Sequence, residues 1–228
     1  MDGRRGLLGA CALAACSVVH AAGLQLQPVA VTLAPGDTSA TVWVTNPHAD
    51  PISVSVGVFA WRQPGGEEEL GTTRELAVSP VRADIPAGAR QRLRVVLLLP
   101  PVDGREHSYR LILDEQPATA GPVLARYSLP VFVHVDEGAP VQLAASVTAI
   151  DDGSTQLRID NPGRRHARIV DLAYRTPDGT HRSLAPDLAG YVLPGSHKHW
   201  ILPGPVEQFR TGHFEATVNG RVVNLTVD

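Results

Sequence analysis

The chain has 228 residues, 43% of them hydrophobic and 19% charged, with a formal charge of −3. That is enough apolar material for one large or two ordinary cores without a metal to hold them together. The lack of a basic surplus argues against a nucleic-acid partner, and 21 Gly and 19 Pro with 5% aromatics describe short strands and many turns rather than long helices.

The chain opens on a positive pair, Arg4 and Arg5, followed by a short apolar run over residues 6–19. Val19-His20-Ala21 then offers a cleavage site, so residues 1–21 read as a secretory signal peptide, too short for a good membrane span. A lipoprotein box at Leu13-Ala14-Ala15-Cys16 is the rival reading; the Ala21 site is preferred because it sits directly against the first strand. Both cysteines, Cys11 and Cys16, fall inside this leader, so the remaining chain has neither disulfide nor thiol chemistry. Export without disulfides fits a bacterial periplasm. Removing the leader takes away Asp2, Arg4 and Arg5, a net +1, and leaves about −4.

The first domain is read over residues 22–135. Residues 25–33 alternate and end at the turn Ala34-Pro35-Gly36-Asp37. Residues 39–46 and 52–61 are expected to form a hairpin around Pro47, and Gln63-Pro64-Gly65-Gly66 with Glu67-Glu68-Glu69 an exposed loop. Pro86-Ala87-Gly88 precedes a strand at 91–99, and strands at 109–114 and 123–135 complete a set of about seven. That spacing is the one expected of an immunoglobulin-like sandwich. Residues 136–140, Asp-Glu-Gly-Ala-Pro, read as a linker. The second domain, 141–228, is divided by turns at Asp151-Asp152-Gly153, Asn161-Pro162-Gly163, Pro177-Asp178-Gly179, Pro194-Gly195 and Asn219-Gly220, the last a two-residue hairpin signal.

One unit is written twice. Residues 42–47 run through Asn46-Pro47 into 52–56, and residues 157–163 run through Asn161-Pro162 into 167–172. Each is an alternating strand, an Asn-Pro turn and a second alternating strand. The expected fold is therefore all-β, with two β-sandwiches of similar plan.

No nucleophile elbow, P-loop or dinucleotide glycine pattern is present, and no cofactor is expected. His197 and His199 share one strand face and could chelate a metal, but with no third ligand in sequence range an exposed polar strand face is the preferred reading. With His213 they define one alternative, a periplasmic β-sandwich metal carrier; a second alternative is an exported structural or adhesive module. The other distinctive segment is 123–135, long and apolar, with Pro130 inside it. Proline cannot donate to a ladder, so this strand is expected at an edge or changing partners there, and an open apolar edge is either a hazard or a site for another chain. Val123, Ala125 and Tyr127 lie on one face of it, and Leu124, Arg126 and Ser128 on the other.

The opening strand at 28–36, Val58-Phe59-Ala60-Trp61-Arg62-Gln63, Val78-Ser79-Pro80, residues 109–117, Tyr127-Ser128-Leu129-Pro130-Val131-Phe132-Val133, and the runs at 161–168 and 190–196 together resemble the periplasmic chaperones of the chaperone–usher pilus pathway, in its archaic, spore-coat-U-type branch. The resemblance implies two immunoglobulin-like domains set in an L and no enzymatic activity. It implies pilin subunits and an outer-membrane usher as partners: the chaperone lends its edge strand to a pilin that lacks its last strand, while the pilin carboxylate docks on basic residues in the cleft. The lent row would be Val123, Ala125 and Tyr127. Self-association of the free chaperone through the same edge is a further implication. Where the well-studied branch carries its two basic anchors, this chain has Ala30 and Ser128. Arg110, on the adjacent strand, is then the first candidate for the carboxylate and Arg126 the second.

Overall fold

A computed structural model describes residues 23–119, 121–134, 141–150 and 153–227. The expected leader and the expected linker at 136–140 lie outside the described residues. The described chain is built of seventeen strands and two short 3-10 turns, at Pro64–Gly66 and Val206–Phe209, and no described helix is long and apolar enough to cross a membrane.

The first sandwich holds β1 (Gln25–Gln27), β2 (Val31–Leu33), β3 (Ser39–Thr45), β4 (Ile52–Arg62), β5 (Glu69–Gly71), β6 (Leu76–Ser79), β7 (Arg82–Ile85), β8 (Arg90–Leu97), β9 (His107–Pro117) and β10 (Ala125–Val133). One sheet runs β1-β3-β8-β6 and the other β2-β10-β9-β4-β5, with β7 also on β4. The opening run read as one strand is two, β1 and β2, which belong to different sheets. Alternation decides which residues enter the core: Tyr109, Leu111 and Leu113 of β9 face Val42, Val44, Leu93 and Val95 of the opposite sheet.

The second sandwich holds β11 (Ala144–Ala149), β12 (Thr155–Asn161), β13 (Ala167–Arg175), β14 (His181–Val192), β15 (Ser196–Leu202), β16 (His213–Val218) and β17 (Arg221–Leu225). Its sheets run β11-β12-β15 and β14-β13-β16-β17. Leu157, Ile159, Ile169, Leu172, Phe209 and Phe214 form its core. The β16–β17 hairpin turns at Asn219 and Gly220, both with positive φ, which is the turn geometry Asn-Gly supplies.

The repeated Asn-Pro unit owes its form to a buried amide. Asn46 donates to the carbonyls of Asp50 at 2.9 Å and Ile85 at 3.0 Å, and its Oδ1 accepts from the His48 N–H. Asn161 donates to Arg165 at 2.8 Å and Val192 at 2.9 Å and accepts from the Gly163 N–H. Both close the turn at i+2 and i+4 and tie it to a neighbouring strand. Asn161→Ala would leave two carbonyls and an N–H without their partner at a buried position of the turn. Urea unfolding is expected to show a loss of about 3 kcal/mol. A loss below about 1 kcal/mol would mean that water replaces the amide.

Tyr109 is buried and its hydroxyl donates to Glu75. Burial and that carboxylate raise its pKa above the ordinary tyrosine value. A folded-state pKa above the unfolded one gives stability that is constant below about pH 10 and falls as pH rises beyond it, by up to about 1.4 kcal/mol per pH unit. Urea midpoints at about pH 9 and about pH 11 should show this fall in the native protein and a shallower one in Tyr109→Phe.

Candidate functional site

Strand β10 has two halves. From Val131 to Val133 it pairs with β9 on one side and β2 on the other. From Ala125 to Pro130 it pairs with β9 alone, and no other described strand lies along it. The second neighbour begins right after Pro130, the residue that cannot donate a ladder bond. Leu129, Val131 and Val133 point into the first core, and Ala125 and Tyr127 share their side of the strand. Val123 and Leu124 precede the strand and are 45% and 59% exposed. Tyr127 is tethered: its hydroxyl donates to Glu115 at 2.7 Å and accepts from the Leu24 N–H at 2.8 Å.

Arg126 lies on the outward face of β10, opposite Asp114 of β9, and binds it with both arms of its fork at 2.6 and 2.8 Å. That neighbour holds the Asp114 carboxyl below the usual carboxylate range. Arg110 has a different setting. It sits on the same sheet face, four register steps away, opposite Pro130 and Phe59. Its guanidinium stacks 3.6 Å over the Trp61 ring and lies 5.7 Å from the centre of Tyr191 in the second domain. Among the described residues Glu68 is its one carboxylate partner, at a long 3.4 Å. Burial pulls the guanidinium pKa down from its ordinary value, and Glu68 opposes this. The structure thus brings Arg110 to the junction of the domains and leaves Arg126 outside it.

The junction is built from aromatic rings and polar contacts between the domains. Trp61, Phe132, Tyr191 and Leu193 form a small core of their own. Phe132 stacks flat on His166 at 3.6 Å, and the His166 ring meets the buried Glu106 carboxylate at 2.7 and 2.9 Å. Gln63 donates to the Tyr191 carbonyl and accepts from the Leu193 N–H, so one amide pairs with the end of β14 as a strand would. Residues expected in an exposed acidic loop take part here: Glu68 faces Arg110, and Glu67 meets His199 at 3.3 Å. His197 and His199 pack against Gly66, where a Cβ would come within 2.9 Å of the His199 ring. Gly66 also has φ of +88°, so this close approach requires glycine. Among the described residues no three His, Cys, Asp or Glu side chains converge as a metal site would need.

Two hollows flank the ring cluster. One, about 610 Å³, is lined by Trp61, Gln63, Glu75, His107, Tyr109 and Ser196 among others. The other, about 220 Å³, has Ala30, Thr32 and Phe132 from the first domain and Arg165, Arg168 and Tyr191 from the second. Ala30 therefore faces arginines across the cleft. Sequence reasoning missed Arg165 and Arg168 as cleft residues, although the Arg-Arg-His-Ala-Arg run at 164–168 marks them.

Residues 23–134 match the family model of the pili and flagellar-assembly chaperone, PapD N-terminal domain. None of the curated proteins compared matches the sequence. Among solved structures, a chain of the CsuC–CsuE chaperone–tip adhesion subunit pre-assembly complex from the archaic Csu pili of Acinetobacter baumannii is 24% identical, covers 91% of this chain and 100% of its own, and superposes with a TM-score of 0.74. The E. coli chaperone DraB is 17% identical over 90% of this chain and 97% of its own, with a TM-score of 0.61. A chain from the Salmonella enterica SafA pilin–SafB chaperone complex is 17% identical over 90% and 96%, with a TM-score of 0.62. Residues 23–134 thus belong to the pili and flagellar-assembly chaperone family as its N-terminal domain, and the chain as a whole shares the two-domain fold of these solved chaperone structures.

Proposed function

We propose that this protein is a periplasmic chaperone that binds pilin subunits by lending them the open edge of β10 and delivers them to an outer-membrane usher. The observation that carries this reading is the one-sided pairing of Ala125 to Pro130. An exposed strand edge with apolar side chains is a template for another chain, and main-chain hydrogen bonds along it supply affinity without a cofactor. Val123, Ala125 and Tyr127 form the row that fills the pilin groove. Ala125 and Tyr127 share the side of β10 that faces the first core, and Val123 continues their alternation ahead of the strand, so a foreign sheet added to the edge extends that core. Arg110 is the anchor for the subunit carboxylate: it is charged, largely withdrawn from water, and held by one long carboxylate contact. Arg126 is the second candidate, and must release Asp114 to serve. Free in the periplasm, the same edge supports self-association.

Hydrogen exchange on the chaperone with and without a pilin tests the central step. The amides of residues 123–128 that point away from β9 are expected to exchange quickly alone and to gain at least about hundredfold protection in the complex, whereas the Leu124 N–H, already bonded to the Glu115 carbonyl, is protected in both states. A stable complex in which these amides stay fast would end the proposal.

A further inference from the structure

The sheet on the other side of the first sandwich, β1-β3-β8-β6, carries a charge pattern that the lent strand does not use. Its four strands contain three charged residues, Arg90, Arg92 and Arg94, and no acidic one. All three are exposed, on one face of β8, at every second position. None of them pairs with a carboxylate among the described residues. Arg94 donates to the Ser39 hydroxyl, and Arg90 lies over the Trp43 ring at 4.1 Å. With Ser79, Pro80 and Gln91 they line a depression of about 520 Å³. In a chain of net charge −3, this is a face of single sign.

We infer that this face docks an extended acidic segment of another protein. Alternate side chains on a strand repeat at roughly 6.8 Å, so the three guanidinium groups form a row with the same repeat as one face of an extended peptide. A partner with Asp or Glu at i, i+2 and i+4 meets each fork in turn. Guanidinium forks accept carboxylates bidentately, and Arg90 is held in place by the ring beneath it. The same stacking covers the aromatic surface on which a sugar would lie, which favours a peptide over an anionic glycan. β8 is paired on both sides, by β3 and β6, so the segment binds through side chains and not as an added strand. This inference does not rest on the role of β10, which belongs to the opposite sheet.

A dye-labelled peptide of about ten alternating Glu and Thr residues is the probe, titrated by fluorescence anisotropy at about 0.02 M and about 0.2 M salt. Saturable binding is expected that weakens with salt, falls at least about tenfold in the R90S/R92S/R94S protein, and is absent for the matching Lys-Thr peptide. R92S alone, which removes a side chain with no partner, should weaken binding about threefold and guards against misfolding of the triple variant. Failure of the peptide to bind at low salt overturns the inference, as does equal binding by the triple variant. Dextran sulfate bound through the same arginines, with no competition from the peptide, overturns it in favour of an anionic glycan.

Discussion

Val123→Asp is expected to abolish co-purification with a pilin and leave the free protein folded. Val123 is 45% exposed and precedes β10, so a carboxylate there costs the free fold little. In the complex it would enter an apolar groove with no partner. Burying an unpaired charge costs at least about 4 kcal/mol, a roughly thousandfold loss of affinity. Leu124→Asp is the control, because adjacent residues on an extended chain face opposite ways. It should bind within about fivefold of the native protein, as an exposed substitution does. The reverse outcome, with Leu124→Asp blocking and Val123→Asp binding, would shift the register by one residue and exchange the two rows. Val123 is the better probe than Tyr127, whose hydroxyl is committed to Glu115 and Leu24 within its own domain.

Arg110→Ala should weaken pilin binding by about 10- to 100-fold, the range of a charge-assisted hydrogen bond in a site withdrawn from water. Arg126→Ala should change it by less than about threefold, since that fork is spent on Asp114 in an exposed pair. A pilin with an amidated C-terminus separates anchoring from packing. If Arg110 holds the carboxylate, Arg110→Ala and amidation each weaken binding and the two together cost little more than either alone. If Arg110 only supports the Trp61 ring, the two losses add. Arg110→Lys should recover less than half of the loss in free energy, because an ammonium keeps the charge but not the stacked fork. A larger loss from Arg126→Ala than from Arg110→Ala would reassign the anchor. Losses confined to Arg165 or Arg168 variants would move it to the hollow beside Ala30.

The Asn-Pro repeat, read as a turn signal alone, owes its likeness in the two domains to buried side-chain amides. Proline and alternation are visible in a string, but that Asn46 and Asn161 reach strands 39 and 31 residues away is not. The opening run also breaks between residues 25–27 and 31–33, which belong to different sheets: the inward side shifts phase from Leu26 to Val31 and Leu33, and that shift does not say which sheet each half joins. His197 and His199 show the same limit: one strand face was legible, but the Gly66 backbone that covers it comes from the other domain.

By itself the sequence determined that the chain is all-β, that it falls into two sandwiches, and that the 123–135 segment is long, apolar and interrupted by proline. Those features follow from local periodicity and from the fixed φ and missing N–H of proline, which act within a few residues. Only the tertiary structure decided which half of β10 stays open, that Arg110 rather than Arg126 meets the second domain, and that three arginines on β8 face no carboxylate among the described residues. Each of these depends on which strand lies alongside, and strand pairing joins residues whose distance in sequence carries no local signal.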